Sequence, residues 1–519
     1  MKKKIIFILL FLLFIIYFEY SVTITWDSAH YLGYVNIIEG MVPVSSWDVV
    51  RGPVFPFIIF LSDVLFGKTN QGLVINSFVY YLIMLIFSYK IIGYYMNYFK
   101  FNTKIKNIIF YVIIGSIIIN PIIFGFYHSL LTEFVAITVG VISCYYSFVW
   151  LEIDYYKEKK KYLLISSFFV FLTLFSWFLK QPYVSCGFFN LFVAYIISIF
   201  QYKKKQLVIR SLTVLVCILF LVIGINIWES FLNSEGVNTD SSRNPTNSLG
   251  NQIVSAVDFL EIDVNKSIYD SDYINSSKLS NKEKKEIKRL IDGNYKYVLV
   301  YKYNGNKIVA VDYIRSNNGD AVSVFEALKY LFKVFVNNPI KLINSYITNY
   351  FSIIDIYGTK TGNGFIYASE KRIDLTFSNE ISTIGNKIFV DSDSNLFHLS
   401  EGFNENASRY VSSNNDNKIL NNIMLFLSKI FLLLFKLIFF LLPITLICSI
   451  VLRFSKKYRK YYQVINGLII LFGFSFMHLL LHTVTGAIID RYALPVLIPT
   501  FLGMVMFFMI VFCKNRLKK

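Results

Sequence analysis

Asp27, in the run Trp26-Asp27-Ser28-Ala29-His30-Tyr31, stands just after the first apolar segment of the chain. A carboxylate at the edge of a bilayer is placed to take the proton of an attacking hydroxyl. Asp27 and His30 are three residues apart and share a face on a helical turn; Asp48 and Arg51 repeat that spacing further on. Arg51 opens Arg51-Gly52-Pro53-Val54-Phe55-Pro56 and offers a planar fork of donors suited to a phosphate. Each acid taken alone is equally a solvated loop residue. Trp26 and Tyr31 strengthen the chemical reading of Asp27, because such rings suit the membrane interface or the face of a sugar.

Three further places carry polar groups against an apolar background. Tyr127-His128-Ser129-Leu130-Leu131-Thr132-Glu133 puts Glu133 at the mouth of a segment with no further charge until Glu152. A lone acid there is costly without a partner, so it is a candidate for function, with helix capping as the plain alternative. Lys180 interrupts two apolar runs in Leu179-Lys180-Gln181-Pro182-Tyr183 and either binds phosphate or snorkels to the interface. Near the end of the chain, His478 and His482 share a helical face, and Asp490-Arg491-Tyr492 precedes the final apolar run. Arg491 is a second candidate for a phosphate, against an internal pair with Asp490 or a headgroup anchor. His128, His482 and Tyr492 complete the candidate substrate contacts.

The elements that must position these residues are set by composition. Of 519 residues 55% are hydrophobic and 18% aromatic, with a mean hydropathy of +0.53, which is the profile of a polytopic membrane protein. The net charge of +18 does not point to nucleic acid, because residues 229–418 hold 21 Lys/Arg against 23 Asp/Glu. The excess sits in short loops, at Lys2–Lys4, Lys100–Lys106, Lys157–Lys161, Lys203–Lys205, Arg453–Lys460 and Lys514–Lys519. All fall on one side if ten segments span in alternation, roughly 4–21, 71–97, 107–123, 132–151, 162–178, 183–201, 207–228, 420–452, 463–482 and 493–513. The positive-inside rule makes that side cytoplasmic and puts both termini inside. The piece Pro53–Phe66 is short, opens with two prolines and contains Asp63, so it reads as an interfacial or re-entrant helix. The first segment lacks a small-x-small cleavage site and reads as an anchor.

The expected organisation is an N-terminal membrane module over 1–228, with external loops at 22–70 and 124–132, an extracytoplasmic domain at 229–418, and C-terminal helices at 419–519. Within the domain, Asn233–Asn251 reads as linker and Asn281–Leu290 as a charged helix. Tyr295–Val300 and Lys307–Ile314 alternate like strands around Asn304-Gly305-Asn306, which makes a small α/β domain. Val322–Phe351 has amphipathic helical spacing broken at Asn338-Pro339 and is expected on the membrane surface; Phe351–Lys371 reads as a lid over an outer-leaflet site. Five cysteines, odd in number and without metal spacing, read as free and buried thiols. No P-loop, dinucleotide fingerprint or internal repeat is present.

The order of these features resembles the GT-C superfamily of membrane glycosyltransferases, in particular the bacterial branch similar to protein O-mannosyltransferases and lipid A aminoarabinose transferases. The resemblance is carried by Asp27 with Tyr31 and Tyr34, by Arg51-x-Pro53-x-x-Pro56, by Thr132-Glu133 and by Arg491-Tyr492-x-x-Pro495. It covers residues 1–230 and the last spans. The resemblance implies an all-α membrane fold of about ten helices and a polyprenyl-phosphate sugar donor. It further implies inverting transfer to an extracytoplasmic acceptor at the cell membrane, with Asp27 as general base and Arg491, Arg51 or Lys180 at the phosphate. Asp27 is followed by Ser28 where the family often has a second acid. A divalent metal, Mg or Mn, held by Asp27, Glu133 and Asp48 is an open alternative. So are a transporter or lipid flippase, and a polymerase or ligase with a pyrophosphate-linked donor.

Overall fold

The computed structural model describes residues 13–24, 26–239, 249–250, 253, 256–257, 260–263, 300–303, 307–310, 324–354, 418–485 and 490–513. The expected charged helix at 281–290, most of the lid at 351–371 and residues 4–12 of the first apolar segment lie outside the described residues; residues 13–18 are helical. Two compact units are present: residues 1–237, 369–477 and 494–519 form one, and residues 238–368 with 478–493 form the other.

The first unit is built almost wholly of helices. They are α1 (Trp26–Ile38), α2 (Val54–Phe66), α3 (Asn70–Met96), α4 (Thr103–Ile118), α5 (Pro121–Tyr127), α6 (Glu133–Glu152), α7 (Lys159–Leu179), α8 (Val184–Ile199) and α9 (Lys204–Ser234). Among the described residues eight helices of the whole chain are long and apolar enough to cross a bilayer, and the chain is a polytopic membrane protein. α2 is apolar but only 13 residues long, and Gly67, at φ +84°, ends it. The segment read as a span at 107–123 is made by two helices, α4 and α5, that meet at a 50° bend and together are long and apolar enough for a broken span or a re-entrant loop. Asn120 accepts the N–H groups of Ile122 and Ile123 and Pro121 follows at the first helical position, so the sequence starts a new helix there.

α6 is the central helix, with 78% of its spanning stretch buried, whereas α9 has 22% and presents its apolar side chains outward, as a lipid-facing helix does. Close backbone approach surrounds α6. A Cβ on Gly140 would stand 2.8 Å from the Pro495 carbonyl, and one on Gly187 of α8 would stand 2.4 Å from that of Leu172. The far end of α6 is held by Arg210, which donates to the carbonyls of Trp150 (3.0 Å), Leu151 (3.3 Å) and Ile153 (2.8 Å). Its guanidinium also lies over the rings of Trp150 and Tyr202. A cation at a helix C-terminus satisfies carbonyls that the helix itself leaves open.

The C-terminal helices are α12 (Lys418–Phe454), α13 (Tyr462–Val484) and α14 (Leu497–Phe512). At 37 residues α12 is longer than a hydrocarbon core requires, and it carries Pro443 within it. Cys448 is exposed on α12 and Cys513 is partly exposed, so the expectation of uniformly buried thiols holds only for Cys144, Cys186 and Cys217. The outward face of a lipid-facing helix accepts a thiol as readily as the interior does.

In the second unit, β1 (Leu260–Asp263), β3 (Lys307–Ala310) and β2 (Val300–Tyr303) form an antiparallel sheet in that order. The sequence turn at 304–306 falls between β2 and β3. α10 (Val324–Asn337) and α11 (Pro339–Ile353) follow, separated at Asn338 where the proline breaks the helical ladder.

Candidate functional site

The entrance to α1 is tied to the loop that precedes α6. Thr23 N–H donates to the His128 carbonyl (2.7 Å) and Leu130 N–H to the Thr23 carbonyl (3.0 Å), a short parallel bridge. Asn70 clamps the same strand from the other side, accepting from Val22 N–H and donating to the Val22 carbonyl. Ser28 Oγ then donates to the Leu130 carbonyl at 2.8 Å. The first turn of α1, which contains Asp27, is therefore pinned against residues 128–130, three positions before Glu133. The side chains of Asp27, His30 and Arg491 lie outside the described part of the structure.

Glu133 is fully buried at the first turn of α6. Tyr183 Oη donates to its Oε1 at 3.0 Å, and Thr132 Oγ1 to its Oε2 at 3.3 Å. Two hydroxyl donors and the positive end of a helix make a buried carboxylate tolerable. Tyr183 ends the 3-10 turn Gln181–Tyr183, which follows directly on Lys180. Lys180 terminates α7 with extended backbone and is 7% exposed.

Arg51 reaches the same region from the opposite loop. Its Nη1 donates to Tyr31 Oη at 3.2 Å, with the guanidinium carbon 5.3 Å from the Tyr31 ring centroid. Tyr31 packs edge-on against Phe55, and Phe55 against Phe134, next to Glu133. The loop is shaped by Asp48: its carboxylate accepts Val50 N–H and its carbonyl accepts Arg51 N–H. Asp48, expected among the substrate contacts, is thus seen shaping this turn. Trp47 Nε1 donates to the Arg51 carbonyl. A Cβ on Gly52 would lie 1.9 Å from the Phe178 carbonyl, so only glycine lets this loop meet the end of α7, two residues before Lys180.

Beside the Arg51 loop opens an apolar groove of about 480 Å³, whose lining includes Trp47, Pro53, Val54, Phe57, Trp228 and Phe231. Trp228 touches both Trp47 and Phe178. Arg51 and Lys180 thus come from two segments in direct contact, next to an apolar trough.

The backbone of His128 belongs to this arrangement, but its side chain is engaged elsewhere. It is fully buried, its Nδ1 is 3.0 Å from the Phe124 carbonyl and its Nε2 is 3.0 Å from that of Tyr17. Its ring stacks on Phe124. Burial pushes its imidazole down to about 4, against the upward pull of the two carbonyls. It holds the loop to the first helical segment. In the second unit, His482 stacks on Tyr492 with centroids 4.6 Å apart and meets His478 edge-on, while His478 Nε2 pairs with the Tyr492 carbonyl. Among the described residues no group of three His, Cys, Asp or Glu side chains is arranged to hold a metal.

Sequence reasoning did not single out Tyr183, although the Lys180-Gln181-Pro182-Tyr183 run placed it in the same layer. Thr23, Ser28 and Asn70 carried no signal at all, because their role is visible only once the segments meet. No family model, curated protein or solved structure matches the chain.

Proposed function

We propose that the chain is an integral-membrane glycosyltransferase that moves a sugar from a polyprenyl-phosphate donor to an acceptor on the extracytoplasmic face of the membrane. The observation that supports this most is the contact among the segments that carry Asp27, Glu133 with Tyr183, Arg51 and Lys180, beside an apolar groove. An amphiphile with an anionic head and a long apolar chain matches that combination.

In this reading the acceptor oxygen bonds to the anomeric carbon as the bond from that carbon to the phosphate oxygen breaks, with inversion. Asp27 takes the acceptor proton. Arg51, Lys180 or Arg491 neutralises the departing phosphate, and the apolar groove takes up part of its chain. Glu133, oriented by Tyr183, orders the acceptor or the Arg51 side. The second unit selects the acceptor.

The bent pair α4–α5 and the buried charges also suit a lipid flippase, which would move the lipid intact. Purified protein given radiolabelled polyprenyl-phosphate sugar and an envelope acceptor separates the two. Transfer by the wild type, and none by a folded Asp27→Asn variant, supports the enzyme; lipid translocation without sugar transfer overturns it. Arg491→Ala is expected to raise KM for the donor more than for the acceptor. Labelling of a Val300→Cys variant on intact cells tests the external placement of the second unit.

A further inference from the structure

We infer that the α10–α11 helix pair is a monotopic lipid-binding element that lies in an anionic leaflet, with its apolar faces in the acyl region and Lys329 and Lys333 at the phosphates. The inference rests on the second unit alone and is independent of the proposed transferase.

α11 leaves an apolar stripe unpacked. Its packed side carries the fully buried Ile353 together with Asn349, 3% exposed, which donates to the carbonyls of Ala256 (3.0 Å) and Thr483 (3.2 Å), and Ser345, which donates to that of Val257. Its apolar side turns outward, with Ile340, Ile343 and Ile347 exposed at one-turn spacing. In water such a stripe leaves its share of the hydrophobic effect unused.

α10 shows the same orientation. Ala327 is fully buried and marks the packed side. Phe325, Leu328, Phe332, Phe335 and Val336 are all more than half exposed, Phe325 at 78% and Phe332 at 69%. At 3.6 residues per turn they occupy one arc of about 100°, the width of a helical face that ordinarily packs on a core. Lys329 and Lys333, both exposed, lie on the shoulder of that arc beside Val336. Long cationic side chains at the edge of an apolar face reach back to a phosphate layer while their stems stay in the acyl region. A leaflet of anionic lipid supplies the hydrocarbon and the negative charge together, and this chain is already held in a membrane by its other helices.

The test uses the full-length protein in nanodiscs, in a background with Cys448→Ser and Cys513→Ser. Spin labels are placed singly at Phe332→Cys, Ile343→Cys and Thr348→Cys, the last on an exposed polar shoulder of α11. Oxygen concentrates in hydrocarbon and a nickel chelate in water, so the ratio of their accessibilities should be roughly threefold or more higher at 332 and 343 than at 348. Equal ratios at the three positions overturn the inference. So does strong spin–spin broadening at 332 between copies, which would make the face a protein interface. Discs of phosphatidylglycerol with phosphatidylcholine should raise the ratio at 332 above that in phosphatidylcholine alone. The Lys329→Gln/Lys333→Gln variant should lose that difference. A difference that persists in the variant removes the lysines from the phosphates.

Discussion

Tyr183 donates its hydroxyl to the carboxylate of Glu133 at 3.0 Å, across 50 residues of sequence and with both side chains buried. The bond sets the direction of an acid that the bilayer would otherwise make costly, and it ties the start of α6 to the turn that carries Lys180. A hydrogen bond to a charged group in such surroundings contributes about 1.5–3 kcal/mol. Tyr183→Phe keeps the ring and removes only the donor. We expect turnover in the transfer assay to fall on the order of ten- to a hundredfold with expression retained. Turnover equal to wild type would detach Glu133 from the proposed reaction.

Arg51 touches Tyr31 both through a hydrogen bond and through its ring face. A lysine keeps the charge but neither the fork nor the stacking. Arg51→Lys is therefore expected to weaken donor binding nearly as much as Arg51→Ala, read from the donor KM of each variant. Full recovery by lysine would show that charge alone matters.

The Arg51 loop meets α7 through Gly52. A methyl group there overlaps the Phe178 carbonyl, so Gly52→Ala must displace one backbone or the other, at about 1–3 kcal/mol. Gly93 offers the contrast, since nothing lies within 4 Å of its Cβ direction and it is interior to α3. Gly93→Ala should raise stability by up to about 1 kcal/mol. Thermal unfolding in one detergent, measured for both variants, checks the pair of signs.

Arg210 spans three carbonyls at the end of α6. Arg210→Met preserves much of the volume and strands those carbonyls away from water. The expected loss is about 3 kcal/mol, from a cost of about 1–3 kcal/mol per unsatisfied buried group partly relieved by relaxation. The melting temperature of the purified variant reports it. An unchanged value would mean that other donors take over.

Burial lowers the pKa of His128 from about 6.5 to about 4, against the opposing pull of the carbonyls that face its two ring nitrogens. The unfolded chain binds the proton more readily between those values, so this contribution is complete above about pH 6.5 and is lost as pH falls toward 4. A shift of this size corresponds to about 3 kcal/mol. Melting temperatures over that pH range should fall for the wild type, with a shallower slope in His128→Gln. Parallel slopes would assign the acid sensitivity elsewhere.

The membrane character, the helix pattern and the short apolar piece at Pro53–Phe66 were legible in the sequence because each is a local property: apolar length, proline position and charge bias along one stretch of chain. Asn120-Pro121 carried the bend of α4–α5 in the same local code, as a cap followed by proline, and it was missed only because the flanking apolar run hides it. Asp27, Glu133, Arg51 and Lys180 were visible as charges against a greasy background, where polar residues stand out by cost. Tertiary structure alone decided which of them meet. Tyr183 became the partner of Glu133, His128 became a packing residue, and Asp48 was found to shape a turn, because hydrogen bonds between segments depend on where helices end in space. The exposed isoleucine stripe of α11 follows the same rule, since spacing fixes that a helix has faces and only packing fixes which one turns outward.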